Sequence, residues 1–484
     1  MLVAVLRQRI LELAIQGQLV PQRPEDGTAE ELYQQIQKEK KKLIAAGKLK
    51  KEKPLPPISE DEIPFDIPDS WKWVRLGELL FKLTDGTHST PKYCTRGVPF
   101  LSVKNISNGQ IDFNETKFIS EEEHRELCAR CKPECGDILL SKVGTTGVPA
   151  IVDTEIEFSI FVSIALLKFS AQLLYRVYLY YLLRSPLVQC QAKQNTRGVG
   201  NKNWVLVAIA NTIVALPPLA EQQRIVERVQ ALFAELDAIE QSQERVAAIE
   251  TELNKRILER AIQGKLVPQR PEEGTAEELY QQIQKEKKKH IAAGKLKKEK
   301  PLPPISKDEI PFDIPHSWKW VRLGELGVFE RGAGIKKSEV VKDGLPCVRY
   351  GQLYTTYKES FSDAVSYVPE ELFAKCKQAK KGDILMALTG ENKPDIALAV
   401  VYEGENPLAI GGDMTRFTPI CVNSHYLMKV INSPHGIAQK VKTATGDIIV
   451  HTSNDKLAAL LIPLPPLAEQ ERIVHKIIDL NANI

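Results

Sequence analysis

A segment of 71 residues occurs twice in this chain. Arg9–Leu79 returns as Arg256–Leu326 at a constant offset of 247, and only six paired positions differ: Leu13/Arg260, Gln18/Lys265, Asp26/Glu273, Leu43/His290, Glu60/Lys307 and Asp69/His316. A long internal repeat constrains the architecture before any local pattern is read. A segment kept this closely, beside stretches that are not, predicts one frame built twice around two different inserts.

The inserts share short anchors. Gly97-Val98-Pro99 matches Gly344-Leu345-Pro346, Gly136-Asp137-Ile138-Leu139 matches Gly382-Asp383-Ile384-Leu385, and Ser185-Pro186 matches Ser433-Pro434. LPPLAEQQRIV from Leu216 returns as LPPLAEQERIV from Leu464. One fold with two surfaces is the economical reading. The frame is also circularly permuted: Ile484 is the counterpart of Leu236 at an offset of 248, Met1 is the counterpart of Ala248, and only Asp237–Ala247 lack a copy. The two terminal stretches are therefore the halves of a split helix, expected end to end and antiparallel on a central helix, with a pseudo-twofold axis across a coiled coil.

Local patterns place the elements. Val5, Leu6, Ile10, Leu13 and Ala14 form the apolar stripe of a helix that stops at Gly17. Thr28 and Glu31 form a capping box for a second helix that runs to about Ala46, with Gly47 as its stop. Pro54, Pro56, Pro57, Pro64 and Pro68 hold an extended connector. Trp71 and Trp73, repeated as Trp318 and Trp320, alternate with lysine in a strand entering each insert, where they pack the core. The first insert mixes short strands (98–103, 137–141, 161–169) with one helix, 173–194. From Leu219, Ile225, Val229, Leu232, Leu236 and Ile239 recur at heptad spacing, and Val246, Ile249, Leu253 and Ile257 carry the seam toward Gly264. A lone helix of that length with an apolar stripe needs a partner. The segments are then 1–70 (helices and connector), 71–217 (first variable domain), 218–317 (central helix, basic helix and connector), 318–465 (second variable domain) and 466–484 (terminal half-helix). The fold class is α/β, or α+β, variable domains on an antiparallel coiled coil.

Net charge is only +3, yet 38–53 and its copy 285–300 each hold eight lysines and two glutamates, so the remainder is about −9. Paired basic runs suit either solvated surface or a polyanion held by counterion release. The best candidate for a membrane helix, 158–167, carries two serines and is about half of the length needed. With no signal-peptide core and eight scattered cysteines, the expectation is a cytoplasmic protein with free thiols.

Catalytic machinery is not evident. Gly264-Lys265 is followed by leucine, so there is no phosphate-binding P-loop, and no G-x-G-x-x-G follows a strand. His124, Cys128, Cys131 and Cys135 have ligand chemistry for zinc, but the first three fall on one helix pattern and read better as free thiols beside a histidine, so no metal is assigned. What remains are loops that differ within the shared frame. They are Lys104 and Asn105 against Arg349, Tyr350 and Gln352; Lys142, Thr145 and Thr146 against Asn392 and Lys393; and Arg197, Asn201 and Lys202 against Lys440, Lys442 and Thr445. These side chains reach phosphates and base edges. A scaffold with two protein-binding domains is the alternative.

LPPLAEQQRIV before a heptad helix, AIQGKLVPQ after it, KPLPPI with the W-x-W entry and GDIL inside each insert, all duplicated, closely resemble the DNA specificity subunit of type I restriction-modification systems. The resemblance implies two target recognition domains, each reading half of a split double-stranded DNA site. It also implies a non-catalytic subunit whose coiled coil sets the separation and docks two modification (methyltransferase) subunits, through which restriction subunits join. The heptad residues Ile225, Val229, Leu232, Leu236, Leu253 and Ile257 become docking candidates. S-adenosylmethionine, ATP and magnesium are expected in the partner subunits, in a bacterial or archaeal host.

Overall fold

The computed structural model describes residues 2–197, 203–294, 301–447 and 449–482. It comprises two compact units, Met1–Gln243 and Glu244–Ile484, and the division falls inside one helix, Leu219–Ile262, which links them.

The first unit begins with the helices Leu2–Ile15 and Ala29–Ala45. The second of these starts at the capping box: Glu31 N donates to the Thr28 hydroxyl (3.3 Å) and Thr28 N donates to the Glu31 carboxylate (3.1 Å), so two N-terminal amides are satisfied reciprocally. It ends before Gly47, whose φ of +69° no β-carbon favours. After the connector, the entry strand Lys72–Arg75 pairs antiparallel with the exit strand Ile213–Leu216. The second unit repeats this with Lys319–Arg322 on Leu461–Leu464. Each variable domain thus leaves and rejoins its frame through neighbouring strands.

Between those strands the first unit holds an antiparallel sheet in the order Lys82–Asp85, Ile164–Lys168, Ile138–Ser141, Pro149–Ile151, and a three-stranded sheet centred on Val98–Leu101. The second unit carries the same sheet as Gly327–Arg331, Met414–Pro419, Ile384–Ala387, Ala399–Tyr402, with Ser360–Phe361 added at the edge. The registers agree. Ile138 faces Leu167 and Ile384 faces Phe417, which makes Asp85 (opposite Ala165) and Arg331 (opposite Thr415) equivalent positions. The expected helix 173–194 is two helices, Arg176–Arg184 and Pro186–Asn195. Pro186 has no N–H for a continuing helix, and Ser185 caps the second one by accepting from Val188 N.

The helix halves pack antiparallel within each unit. Arg7 pairs with Asp237, while Arg224 reaches back to the Pro21 carbonyl and Asp26. In the second unit Arg472 takes the place of Arg224, bonding Pro268 O (3.1 Å) and both oxygens of Glu273 (2.6 and 2.7 Å). Ile225, Val226 and Val229 share a core with Leu11, Ala14 and Ile15, as Ile257, Ala261 and Ile262 do with Ile473, Val474 and Ile477. The expected continuous seam is corrected in the middle. Ile239, Val246, Ile249 and Leu253 are exposed.

Arg75 locks the connector to the first domain. Its guanidinium donates to the carbonyls of Pro56 (2.8 Å), Pro57 (3.2 Å) and Asn211 (2.8 Å) and pairs with Glu62. Arg322 repeats the set with Pro303, Pro304, Ala459 and Glu309. Since the buried side chain satisfies several acceptors at once, Arg75→Met should destabilise the first unit by roughly 2–4 kcal/mol. It should also speed tryptic cleavage at Lys50 and Lys51; thermal unfolding together with limited proteolysis checks both effects.

Candidate nucleic-acid interface

At one end of the four-stranded sheet of the first unit, three loops are tied together by hydrogen bonds. Lys142 N donates to Ser163 O (2.9 Å), Val103 N donates to Ser163 Oγ (3.1 Å) and Trp204 N donates to Lys142 O (2.8 Å). Asn203 bridges to both Val143 and Arg197. Residues 102–105, 142–147, Arg197, Asn203 and Trp204 therefore share one end of the domain, on the wholly buried indole of Trp204. The second unit makes the same junction with Leu388 N on Asp413 O (2.8 Å), Gly411 N on Val348 O (3.0 Å), Thr452 N on Leu388 O (3.0 Å) and Thr445 bridged to His451. The three pairs of divergent loops picked out in the sequence thus lie at equivalent places on an equivalent sheet.

Their side chains divide into three kinds. Lys104, Thr145 and Arg197 in the first unit, and Tyr350, Asn392, Lys442 and Thr445 in the second, are exposed; Thr146, Arg349 and Lys393 are half-buried. Asn105 and Gln352 build their own turns: Ser102 N donates to Asn105 Oδ1 (2.9 Å) and Arg349 N donates to Gln352 Oε1 (2.8 Å). Two lysines are interior. Lys142 is paired with the buried Asp85 at 3.2 Å. Lys440 is 1 % exposed and donates to Ala397 O (3.1 Å), where burial pulls its ammonium down to about 7. Read as surface contacts, both are corrected to internal struts, because the loops fold over them. Asn201 and Lys202 lie outside the described residues.

A fourth loop, which the sequence reading passed over, joins this end. Thr87 bridges to Phe161, and a side chain on Gly86 would strike Ile160 O at 1.9 Å; Gly332 has the same relation to Gly411 O at 2.1 Å. These loops carry His88 in the first unit and the exposed Lys336 and Lys337 in the second, where a cleft gathers Lys336, Lys337, Arg349 and Tyr350. The glycine pair, in step with the strand register, was the available signal.

The histidine and cysteine cluster has another use. His124 is buried with Nδ1 2.9 Å from Ser159 Oγ, and burial pushes the Cys131 thiol up to about 12. Among the described residues, no three histidine, cysteine or acidic side chains converge on a metal position.

Residues 68–250 and 315–484 match the family described as the type I restriction modification DNA specificity domain. The chain belongs to this family. As a type I specificity subunit it is a DNA-recognition component, not a catalytic one, and works in a complex with other subunits. The specificity subunit of the type I enzyme EcoAI of Escherichia coli is 29% identical, over 98% of this chain and 88% of that protein, and that of EcoEI, from the same species, is 28% identical with the same coverage. Two solved structures share the fold. The HsdS subunit from Thermoanaerobacter tengcongensis has a TM-score of 0.51 at 19% identity, covering 87% of this chain and 91% of that one. A chain from a study of assembly and conformational transition of the type I R-M system has a TM-score of 0.56 at 20% identity, covering 87% and 92%. Among the described residues no helix is long and apolar enough to cross a membrane.

The depressed pKa of Lys440 has a signed consequence. Unfolded, the group stays protonated up to its ordinary value of 10.5; folded, it releases its proton from about 7. The unfolded state therefore binds more protons between those limits, and the burial cost of Lys440 is relieved as pH rises, with a slope of at most about 1.4 kcal/mol per pH unit. Thermal unfolding of this specificity subunit between pH 6 and 9 should show a component that rises with pH and that Lys440→Met abolishes.

Proposed function

We propose that each unit of this specificity subunit reads one half of a bipartite double-stranded DNA target through the loop cluster at the end of its sheet. The supporting observation is the coincidence of divergence and position: three loop pairs differ in sequence yet sit on one strand register. A fixed scaffold with varied polar loops is what reading two different sequences requires. The exposed lysines of 38–53 and 285–294 belong to the duplicated frame, so any DNA contact they make is to phosphate and is the same at both halves.

Two methyltransferase subunits dock on the helical frame. Of the heptad candidates, Ile225, Val229, Leu236 and Ile257 are buried within their own units and Leu232 is half-buried, which leaves Leu253 exposed. Leu253 and Ile249 are the counterparts of Leu6 and Leu2, which are exposed as well. Each unit thus offers an equivalent apolar patch, which suits two copies of one partner. Restriction subunits join through these partners, and S-adenosylmethionine, ATP and magnesium serve the partners' chemistry, in the cytoplasm of a bacterium or archaeon.

Replacing 71–217 with the corresponding domain of another specificity subunit should change one half of the methylated motif and leave the other unaltered. Long-read mapping of methylated adenines in host DNA reads both halves and the spacer, and a change in both halves would refute modular reading.

A further inference from the structure

One cluster beside the reading loops of the first unit does more than brace them. Asp85 ends the edge strand, 4 % exposed, with two cations and an imidazole around it: Lys142 Nζ at 3.2 Å from Oδ2, and on Oδ1 the Arg130 guanidinium at 2.5 Å and His88 Nε2 at 3.2 Å. Lys142 is as buried as the carboxylate, so that pair is an internal strut. Arg130 is different. Its side chain is 55 % exposed and donates to Asp85 through Nη2, with His88 Nε2 3.4 Å from the same nitrogen, while Nη1 and Nε have no partners among the described residues.

An arginine held by a buried carboxylate through one Nη2–H keeps a fixed direction, and with the His88 Nε2–H donating to Asp85 its second Nη2–H and the adjacent N–H of Nη1 or Nε present a two-donor fork. A phosphate contact needs no such aim. Reading the O6 and N7 acceptors of guanine does, because the two hydrogen bonds must form together in one plane. The cluster is also confined to one unit: on the shared register Asp85 is replaced by Arg331, and Lys142 by the apolar Leu388. A device present in only one of two otherwise equivalent frames fits sequence reading, not common backbone binding.

We propose that Arg130 reads a guanine in the half-site met by the first unit, and that Asp85 is the positioning residue that aims it. This rests on the proposal that each unit reads one half-site. The test uses the full chain assembled with its modification subunits on DNA carrying each base in turn at every motif position. Arg130→Ala should relax one G·C position in one half-site, its discrimination falling about 10- to 100-fold, with the other half-site and the salt slope unchanged. Arg130→Lys, which keeps the charge and loses the fork, should relax the same position. Asp85→Asn should do so in part; because it leaves Lys142 unpaired, the double variant Asp85→Asn/Lys142→Met provides the same readout in a fold without a buried lone cation. Uniform weakening on all sequences, with the salt slope lower by about 1, would make Arg130 a phosphate contact and overturn the inference. So would an unaltered motif in Arg130→Ala. A wild-type motif that is not bipartite would instead overturn the reading beneath it.

Discussion

The hydrogen-bonded ladder between entry and exit strands carries the rest of this molecule. Lys72–Arg75 on Ile213–Leu216, and Lys319–Arg322 on Leu461–Leu464, bring the two ends of each variable domain side by side. Because the ends meet, whatever lies between them can change without moving the helices on either side. The duplicated arginines Arg75 and Arg322 extend the lock to the proline connectors, whose carbonyls have no other route into a ladder. The near-identity of the repeated segment follows from this. It contains the entry strand, the arginine and the connector, so a change in any of them would be felt at the junction.

Polar chemistry in the recognition domains is layered. The outer layer is exposed and differs between the units, while beneath it Asp85 with Lys142, and Lys440 with the Ala397 carbonyl, hold loop to sheet. A buried ammonium needs a strong acceptor. In the first unit it has a carboxylate and in the second a carbonyl, and it is burial that makes Lys440 bind its proton so weakly. The net charge of +3 conceals this arrangement, since the basic excess lies largely in the two duplicated lysine-rich runs.

Much of the fold was legible in the chain. The capping boxes at Thr28 and Thr275 are settled by side chains three residues from the amides they satisfy, and both form as the spacing requires. The anchors around Gly136-Asp137 and Gly382-Asp383 predicted one frame, and the strand registers agree. Single-residue roles were less legible. Asn105 and Gln352 have the chemistry of base readers and act as turn braces. Nothing in the sequence near Asp85 announces that Arg130, 45 positions away, completes its cluster.

The sequence by itself determined the repeat, its circular permutation, the helices and the places where the two recognition domains diverge, because each depends on identity, periodicity or contacts within a few residues. Only the tertiary structure decided which lysines lie inside, which arginine sits exposed on a buried carboxylate, and where the heptad seam is exposed. Burial and direction are set by elements distant along the chain. A heptad pattern shows that an apolar stripe exists but cannot say what packs against it: Ile225 and Ile249 share that pattern, and one is buried while the other is 65 % exposed.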